Sequence, residues 1–365
     1  MPTNCLEERN TTDAPTVSIV LCTYNGERFL RQQIDTVLAQ TYPLKEIIIQ
    51  DDHSTDSTPA ILAEYAAADP RIKVFTNASE LVGVNSNFFT AMRRAEGDYI
   101  ALCDQDDLWE PTKIEKQMAA VQGHLLCTCR SKPFTEDGSP VVYDPRTPNY
   151  DIIRLLYASI PGHTLLFHHK LLRLLPDTHR DYGTCYDVVV ALTAASYQRG
   201  LVLADEVLVR QRRYATAASY LHDDKRRTHA SATNATNAAN ATNATNALQM
   251  LAWSLRHYHT MMPLVSNSLK SRRDILGQIA PYCGDDQELR QLAGHLDRHF
   301  ADALTLAHTD GKRTPGAILR TWKTALRCRH FLFFTEEHGP LNLLRALLFP
   351  VMHLYNYRHL LEKKD

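Results

Sequence analysis

The chain has 365 residues, with 40 Lys or Arg and 41 Asp or Glu, so its formal net charge is -1. Hydrophobic residues make up 44% and charged residues 22%, a composition typical of folded globular proteins, which excludes a wholly disordered chain. Because the charge is balanced, a nucleic acid is not expected as the main partner.

Short apolar runs alternate with helical patterns through the first 121 residues. Val17–Cys22 is a continuous apolar run rich in β-branched residues, which is typical of a strand buried on both faces. The same reasoning predicts strands at Ile47–Ile49, Ile72–Thr76 and Tyr99–Cys103, and helices at Phe29–Leu38, from Ser57 or Thr58, at Asn85–Arg94 and at Thr112–Val121. This alternation predicts βαβ units and an α/β fold with a mostly parallel sheet.

The second half of the chain is less regular. Residues 124–184 contain loop signals, whereas Tyr186–Gln198 is a strong helical pattern and Leu201–Leu203 and Val207–Arg212 are predicted short strands. Ser231–Ala247 repeats a Thr-Asn-Ala unit that cannot bury a core, and Leu248–Asp365 has an almost wholly helical pattern. The predicted organisation is a polar tail at 1–16, an α/β domain at 17–220 divided near residue 123, a linker at 221–247 and a helical region at 248–365.

Polar clusters follow three of the predicted strands: Thr23-Tyr24-Asn25, Asp51-Asp52 and Asp104–Asp107. Ligands of parallel sheets bind beyond the carboxyl ends of the strands, so the three clusters are expected to meet in one crevice. Asp52 could accept hydrogen bonds from a base or ribose, or could simply form an Asx turn. Tyr24 could stack on a base or cover the sheet edge, and the short side chains of Thr23 and Asn25 leave room for a ligand.

The Asp104-x-Asp106-Asp107 sequence places three carboxylates within one turn, where they would repel one another. A divalent cation relieves that repulsion, and oxygen ligands favour Mg²⁺ or Mn²⁺. The alternative is a solvated acidic turn or a helix cap at Asp107. The three clusters together favour the metal.

These residues carry a resemblance to a known family. The stretches VSIVLCTYNGERFLRQQIDTVLAQTYPLKEIIIQDDHSTDST and DYIALCDQDDLWEPTKIEKQ resemble the N-terminal half of family 2 glycosyltransferases, which have the GT-A fold. The stretches GHTLLFHHKLLRLLP, YDVVVALTAA and LVLADEVLVRQRR resemble the acceptor half of its rhamnosyltransferase-like branch. The resemblance covers about Val17–Ser219.

The resemblance implies a role for individual residues. Asp187 matches the catalytic base, and Asp106 matches the ligand of a metal that bridges the diphosphate, with Asp104 in the ribose or metal shell. The residues implied in nucleotide-sugar binding are Thr23, Tyr24, Asn25, Asp52, Asn87, Asp104, Arg210 and Gln211. From the residues alone, Asp187 could equally be a helix N-cap.

The sequence departs from the family pattern at three places. His53 stands where a Gly is usual, Tyr186-Asp187-Val188-Val189 lacks a flanking His and two Trp, and Arg212-Arg213 replaces His-Gly. A separate group of histidines, His163, His168 and His169, does not have a standard metal-ligand spacing, so we do not expect it to bind a metal.

The expected function is inverting transfer of a sugar from a UDP- or dTDP-linked donor to a hydroxyl of a surface glycan such as O-antigen, capsule or exopolysaccharide, with Mn²⁺ or Mg²⁺ as cofactor. The alternatives are a metal-dependent nucleotidyl- or phosphotransferase and a non-catalytic sugar-nucleotide-binding scaffold. No nucleic acid is expected as a partner.

The location of the protein is predicted from its termini and cysteines. The N-terminus lacks the apolar core of a secretory signal, and scattered cysteines favour reduced thiols, so a cytoplasmic protein is expected. The apolar stretch Leu341–Leu361 is interrupted by Arg345 and Pro350. It either packs on the protein's own core, which the usual behaviour of apolar stripes favours, or contacts the inner face of the membrane, where it would suit a lipid-linked acceptor.

Overall fold

The computed structural model describes residues 14–141, 143–175, 185–196, 200–214, 249–279, 315–332, 340–352 and 354. The Thr-Asn-Ala repeat, most of the polar N-terminal tail and the proposed domain boundary at residue 220 lie outside these residues. The division of the chain into domains therefore stays a prediction.

The described strands form one mixed sheet of eight strands in the order β3-β2-β1-β4-β7-β6-β8-β5. Neighbours are parallel in the β3-β2-β1-β4 half and between β6 and β8, and antiparallel elsewhere. The strands are β1 (Val17–Thr23), β2 (Leu44–Asp51), β3 (Ile72–Thr76), β4 (Tyr99–Cys103), β5 (Leu108–Trp109), β6 (Leu126–Phe134), β7 (Leu166–His168) and β8 (Leu201–Arg212).

Helices flank this sheet. In the first 214 residues they are α1 (Leu30–Leu38), α2 (Thr58–Ala68), α3 (Val84–Met92), α4 (Lys113–Ala120), α5 (Ile152–Leu155) and α6 (Tyr186–Ala195), with 3-10 turns at Gly162–Thr164 and His169–Arg173. Further along the chain, helical residues are described at 249–256, Tyr258–Ile279, Pro315–Arg327, Arg329–Leu332 and Pro340–Met352. The predicted α/β fold with a helical C-terminal region is confirmed.

Each face of the sheet has its own hydrophobic core, because successive strand side chains point to opposite faces. In β1, Ile19 and Leu21 pack with α1, α2 and α4, whereas Val20 packs on the other face with α3 and α6. Every residue of β1 is buried. This explains why the strand appears in the sequence as an uninterrupted apolar run rather than an alternating one.

The sequence pattern failed where strands carry polar residues. β6 lies inside the segment predicted to be irregular, because only its first residues are apolar and it ends in Arg-Ser-Lys-Pro-Phe. The two short strands predicted after Gly200 are one strand, β8. Its pairing with β6 jumps from Cys129–Ala204 to Arg130–Val207, so a bulge accommodates the polar residues between the two predicted pieces.

The C-terminal helices pack on the core face that contains α3 and α6. Met261, Val265 and Leu276 are buried in this cluster, and Arg272 Nη1 donates to the carbonyl oxygens of Leu155 at 2.9 Å and Ala158 at 3.2 Å. In the part of the chain that the structure describes, none of the helices has both the length and the apolar character needed to cross a membrane.

Candidate active site

A glutamine joins the loop after β1 to the acidic loop after β4. Gln105 Oε1 accepts hydrogen bonds from Thr23 Oγ1 at 2.6 Å and from the backbone N–H of Tyr24 at 2.9 Å, while its Nε2 donates to the Tyr24 carbonyl at 3.1 Å. A Cβ on Gly26 would lie 2.5 Å from Gln105 Oε1. The two predicted clusters are thus brought together, and their contact requires glycine at position 26.

The third cluster, after β2, is tied to the same place. Asn25 has a positive φ of 46°; its backbone N–H donates to Ser54 Oγ at 2.8 Å, and its Oδ1 accepts from the Thr55 N–H at 2.9 Å. His53 has a φ of 63°, in the left-handed region that glycine adopts without strain. That conformation explains why a glycine is usual at this position in the family pattern.

The side chains of this third cluster are largely engaged. Asp51 accepts from Ser54 in an Asx-type turn, whereas Asp52 accepts from Asn77 Nδ2 at 2.7 Å and from the Gly83 N–H at 2.6 Å. Asp52 therefore holds the loop before α3 against the strand end. Tyr24, in contrast, is 56% exposed, so its ring is accessible to a ligand.

Asn87 is buried at the ends of β1 and β2. Its side chain is buried, and Nδ2 donates to the carbonyl oxygens of Gln50 at 3.1 Å and Thr23 at 3.4 Å. Its Oδ1 in turn accepts from Gln50 Nε2 at 3.0 Å. The contacts of Asn87 thus fasten α3 to the ends of β1 and β2.

Asp104, Asp107 and His163 form a compact cluster of potential metal ligands. One donor atom from each residue lies within 4.8 Å of the others. His163 Nδ1 is 3.2 Å from Asp104 Oδ2 and 3.2 Å from Asp107 Oδ2, and its Nε2 is 2.9 Å from Ser131 Oγ. His163 comes from the Gly162–Thr164 turn, so tertiary folding places this histidine against the acidic loop. His168 and His169 are not part of the cluster.

Electrostatics in this cluster suit a cation. Burial raises the pKa of Asp107 to about 7, and Asp104 and Asp106 contribute to the increase against the opposing effect of His163. Burial alone would lower the pKa of His163, but Asp107 and Asp104 outweigh it and raise that pKa. Asp107 Oδ2 is buried without a hydrogen-bond donor. Two carboxylates and an imidazole form a donor set that Mn²⁺ or Mg²⁺ can use.

Asp106 is engaged differently from its neighbours. Its Oδ2 accepts a hydrogen bond of 2.5 Å from Tyr214 Oη, and burial, together with Asp104, raises its pKa. Tyr214 follows β8 and was not singled out from the sequence. Asp106 is adjacent to the cluster in sequence but does not belong to it, and its role as a metal ligand stays a prediction.

Arg212 holds the acidic loop in place. Its side chain is fully buried, with Nε donating to the Asp106 carbonyl at 2.7 Å and its backbone N–H to Asp107 Oδ1 at 2.9 Å. Nη2 donates to Gln32 Oε1 at 2.8 Å, and Nη1 contacts Glu136. In the sequence, Arg212 stands out only as part of the Arg212-Arg213 departure from the family pattern.

The two neighbours that were predicted to contact the ligand, Arg210 and Gln211, are more accessible than Arg212. Arg210 is exposed and lies over the Phe134 ring at 4.6 Å, and Gln211 is partly buried. Among the described residues, no hydrogen bond or ion pair joins either side chain to the acidic loop. Their role in binding a nucleotide sugar stays a prediction.

Asp187 is the second residue of α6, and the N-cap position belongs to Cys185. Its Oδ1 accepts from the next backbone N–H, that of Val188, at 2.7 Å. Burial is the main cause that raises the pKa of Asp187 to about 6, and Asp104 raises it further. The N-cap interpretation is therefore wrong for this residue, and a partly buried carboxyl group remains beside the acidic loop.

Tyr186 connects α6 to the acidic loop. Its Oη lies 3.4 Å from Asp104 Oδ1, and its ring stacks on Phe88 with centroids 3.9 Å apart. A Cβ at Gly162 would lie 2.1 Å from the Tyr186 hydroxyl, so only glycine fits there. The glycine before His163 was a signal in the sequence that this turn packs closely.

Comparisons with known proteins agree with this architecture. A family model described as "Glycosyl transferase family 2" matches residues 18–173. The chain is 32% identical over 182 residues to an uncharacterized glycosyltransferase of Haemophilus influenzae, covering 47% of this chain and 71% of the relative. It is 34% identical over 146 residues to the putative teichuronic acid biosynthesis glycosyltransferase TuaG of Bacillus subtilis, covering 38% and 56%.

Two further matches differ in how much of each chain they cover. The chain is 38% identical over 129 residues to the uncharacterized protein Rv1520 of Mycobacterium tuberculosis, and this match spans 37% of that relative's length and 34% of this chain. Among solved structures, TarS 1-349 of S. aureus in complex with UDP-GlcNAc has a TM-score of 0.46 at 16% identity, covering 96% of this chain and 92% of TarS 1-349. On its sequence similarity to the Haemophilus relative, this chain belongs to glycosyl transferase family 2.

Proposed function

We propose that this chain transfers a sugar from a nucleoside-diphosphate sugar to a hydroxyl group of a surface glycan, with inversion at the anomeric carbon. The observation that carries the proposal is a set of contacts that joins the acidic loop after β4 to the loop after β1 and to the start of α6. Gln105 bonds to Tyr24, and Oη of Tyr186, the residue before Asp187, lies 3.4 Å from Asp104 Oδ1.

The donor would bind along the carboxyl ends of β1, β2 and β4. The exposed ring of Tyr24 is available to stack on a base, and the loop that Asp52 holds lies beside it. UDP- or dTDP-linked sugars are the proposed donors. The name of TuaG refers to teichuronic acid biosynthesis, which supports a polysaccharide as the acceptor.

Two sets of residues are candidates for holding the cation. The sequence pattern points to Asp104 and Asp106, whereas the geometry favours Asp104, Asp107 and His163. When bound, Mn²⁺ or Mg²⁺ would offset the negative charge that develops on the leaving diphosphate. Asp107 Oδ2 is buried and accepts no hydrogen bond, and the potential ligand atom His163 Nδ1 lies 3.2 Å from it. This supports the second set, because a cation held between the two would satisfy the oxygen.

Asp187 is the proposed general base. Its carboxylate would take the proton from the acceptor hydroxyl as the oxygen attacks the anomeric carbon. The raised pKa of about 6 supports this role, because a base works best when its pKa is near the working pH. Tyr186 would hold Asp104 in position next to the base.

The proposal is tested by a screen of nucleoside-diphosphate sugars with and without Mn²⁺, read by melting temperature and by release of the nucleoside diphosphate. A ligand at about 100 times its Kd should add about 2.7 kcal/mol to the free energy of unfolding. Transfer to a glycan acceptor must also be detected. Release of pyrophosphate, or transfer of a phosphoryl group, would indicate a nucleotidyl- or phosphotransferase, and binding without turnover would indicate a scaffold.

The metal ligands are separated by three variants measured in the same assay. If Asp107 and His163 hold the cation, Asp107→Asn and His163→Gln should abolish the Mn²⁺-dependent part of the thermal shift, whereas Asp106→Asn should retain it. The opposite pattern would establish Asp106 as the ligand. Asp205→Asn is the matched control, because Asp205 is an exposed carboxylate paired with Arg130, away from the acidic loop.

A further inference from the structure

Two helices near the C-terminus pack against each other and bury only one side each. These are the helices Pro315–Arg327 and Pro340–Met352. Thr321, Thr324 and Ala325 are buried in the first, and Ala346 and Phe349 in the second. The Phe349 ring meets Tyr157 edge-on with centroids 5.1 Å apart, so the buried side of the second helix reaches the core. The predicted core contact is therefore present, but it uses only part of the apolar surface.

The other side of both helices carries large apolar side chains in solvent. Leu319 and Trp322 are spaced three residues apart on the first helix, and Leu343 and Leu347 four apart on the second, so each pair forms a stripe. Together with Leu344, these side chains are between 41% and 66% exposed. Such exposed apolar patches indicate an interaction surface.

The charges next to these stripes all have one sign. Arg320, Lys323 and Arg327 recur at three- and four-residue spacing on the first helix, directly beside Leu319 and Trp322. Across 315–332 and 340–352 the sequence contains five Lys or Arg and no Asp or Glu. The two helices thus combine exposed apolar side chains with the exposed Arg320, Lys323 and Arg327, although the chain as a whole has a net charge of only -1. The nearest acidic residues in sequence, Glu336 and Glu337, lie between the two helices, outside the described residues.

We propose that this surface docks on an anionic lipid bilayer. We call it the C-terminal face, and define it by Leu319, Arg320, Trp322, Lys323, Leu343, Leu344 and Leu347. Leucine and tryptophan side chains enter the boundary between headgroups and acyl chains, while neighbouring basic residues pair with anionic headgroups. The exposed Arg320 and Lys323 beside exposed leucine and tryptophan side chains complement the negative charge of an anionic bilayer, which favours lipid over a protein partner.

In this arrangement the protein binds at the membrane surface and does not cross the bilayer. The helices lie in the plane of the interface, with Thr321, Thr324 and Ala325 turned toward the protein and the stripes turned toward lipid. A sugar acceptor carried by a lipid would then be presented at the same surface to which the enzyme binds. The docking itself does not depend on the proposed transfer reaction, so the two can be tested separately.

The test is sedimentation of the full chain with vesicles of phosphatidylcholine alone or of phosphatidylcholine with phosphatidylglycerol. Binding is expected only to the anionic vesicles and should weaken at high salt. Arg320→Glu combined with Lys323→Glu should weaken this binding at least about tenfold, because each basic residue near an anionic surface contributes substantially to affinity. Leu343→Ser combined with Leu347→Ser should weaken binding to the anionic vesicles at low salt and at high salt alike, because the apolar contribution does not depend on salt.

Matched controls use residues away from the face. Leu255→Ser removes a leucine that is 59% exposed on the helical segment 249–256, and Arg93→Glu reverses an exposed charge after α3. Both should bind vesicles as the unmodified chain does. The two double variants of the C-terminal face and the two control variants should all keep the melting temperature and the nucleotide-sugar binding of the unmodified chain.

Three results would overturn the proposal: no binding to anionic vesicles, equal binding by the face variants and the controls, or equal binding to both kinds of vesicle. A concentration-dependent dimer that the leucine variants dissociate, without any vesicle binding, would assign the face to a second copy of the chain instead. Sedimentation velocity on the same samples detects that outcome.

Discussion

Asp187 illustrates how the position of a single side chain limits its possible roles. It is the second residue of α6, so its carboxylate benefits from the helix N-terminus without serving as the N-cap. Asp104 raises its pKa, while the charges of Arg272 and His163 act in the opposite direction. A carboxyl group between these charges is suited to accept a proton near neutral pH.

Replacing this residue tests its proposed role as a base. Asp187→Asn should fold, bind the donor and the cation as before, and lose transfer by about 10²–10⁴-fold, because an amide cannot accept the proton. The measurement is the transfer rate and donor affinity on the same purified protein. Asp205→Asn, which changes an exposed carboxylate, is the control. A variant with near-normal transfer would remove Asp187 from the mechanism.

The same substitution should change stability in a pH-dependent way. The folded-state pKa of Asp187 is raised from 3.8 to about 6, so this carboxyl group destabilises the folded state increasingly as the pH rises from 3.8 to about 6, and fully above that pH. Asp187→Asn removes that cost and should raise the free energy of unfolding at pH 7.5 by up to about 3 kcal/mol. The gain should fall to about half at pH 5. Urea unfolding at both pH values measures it, and a gain independent of pH would contradict the assignment.

At the scale of elements, the end of β8 secures the acidic loop through Arg212. Its guanidinium is held by Asp106, Gln32 and Glu136, and lies over the rings of Phe29 and Phe134 at 4.3 and 4.9 Å. Burial lowers its pKa, although Asp106 and Asp107 oppose that shift. Removing the guanidinium would leave the Asp106 carbonyl without this donor and would take a positive charge away from Asp106 and Asp107.

Arg212→Met should therefore destabilise the fold by about 1–3 kcal/mol, the usual cost of leaving buried hydrogen-bonding groups without their partner. Arg210→Met is the matched control: that arginine also lies over Phe134 but is exposed, so its loss should change stability by less than about 0.5 kcal/mol. Denaturant unfolding of both variants gives the comparison. Equal effects would show that Arg212 contributes through its aromatic contacts alone.

The turn that carries His163 depends on a close contact with α6. Gly162→Ala would place a methyl group 2.1 Å from Tyr186 Oη, and overpacking of this kind costs about 1–3 kcal/mol. Combining it with Tyr186→Phe removes the nearest atom and should restore part of the loss. Gly277→Ala, in a helix with open space around the glycine, should instead stabilise by up to about 1 kcal/mol. An additive double variant would show that the two positions do not interact.

At the scale of the whole molecule, the C-terminal helices complete one of the two cores. Met261, Val265 and Leu276 are buried in the cluster that also contains Leu192 of α6. Although a linker was predicted between the two regions, these contacts join them into a common hydrophobic core. The α/β part of the chain thus depends on helices that carry no recognised family motif.

A chain ending at residue 220 should therefore expose this apolar face, and should be less stable or aggregate. Deleting Ser231–Asn246 from the full chain should be tolerated, because that repeat has no side chains able to form a core and changes in loop length cost little. The 1–220 chain and the deletion variant are compared by their solubility, by dye binding to exposed apolar surface and by melting temperature. A fully stable 1–220 chain would show that the helices are dispensable for folding.

The sequence alone determined the first four strands and helices, the mostly parallel character of the sheet and the family, because buried parallel strands and their connecting helices leave strong local patterns. It also indicated that the polar clusters meet at the strand ends. The order of the strands in the sheet came only from the tertiary structure. Which distant residues contact the acidic loop was decided only by the tertiary structure. His163 lies 59 residues from Asp104, and Arg212 lies 105 residues from Asp107, and no local pattern specifies such long-range pairs. β6 and the bulge of β8 likewise depend on pairing between distant segments, since their polar residues conceal the strand pattern that apolar runs reveal.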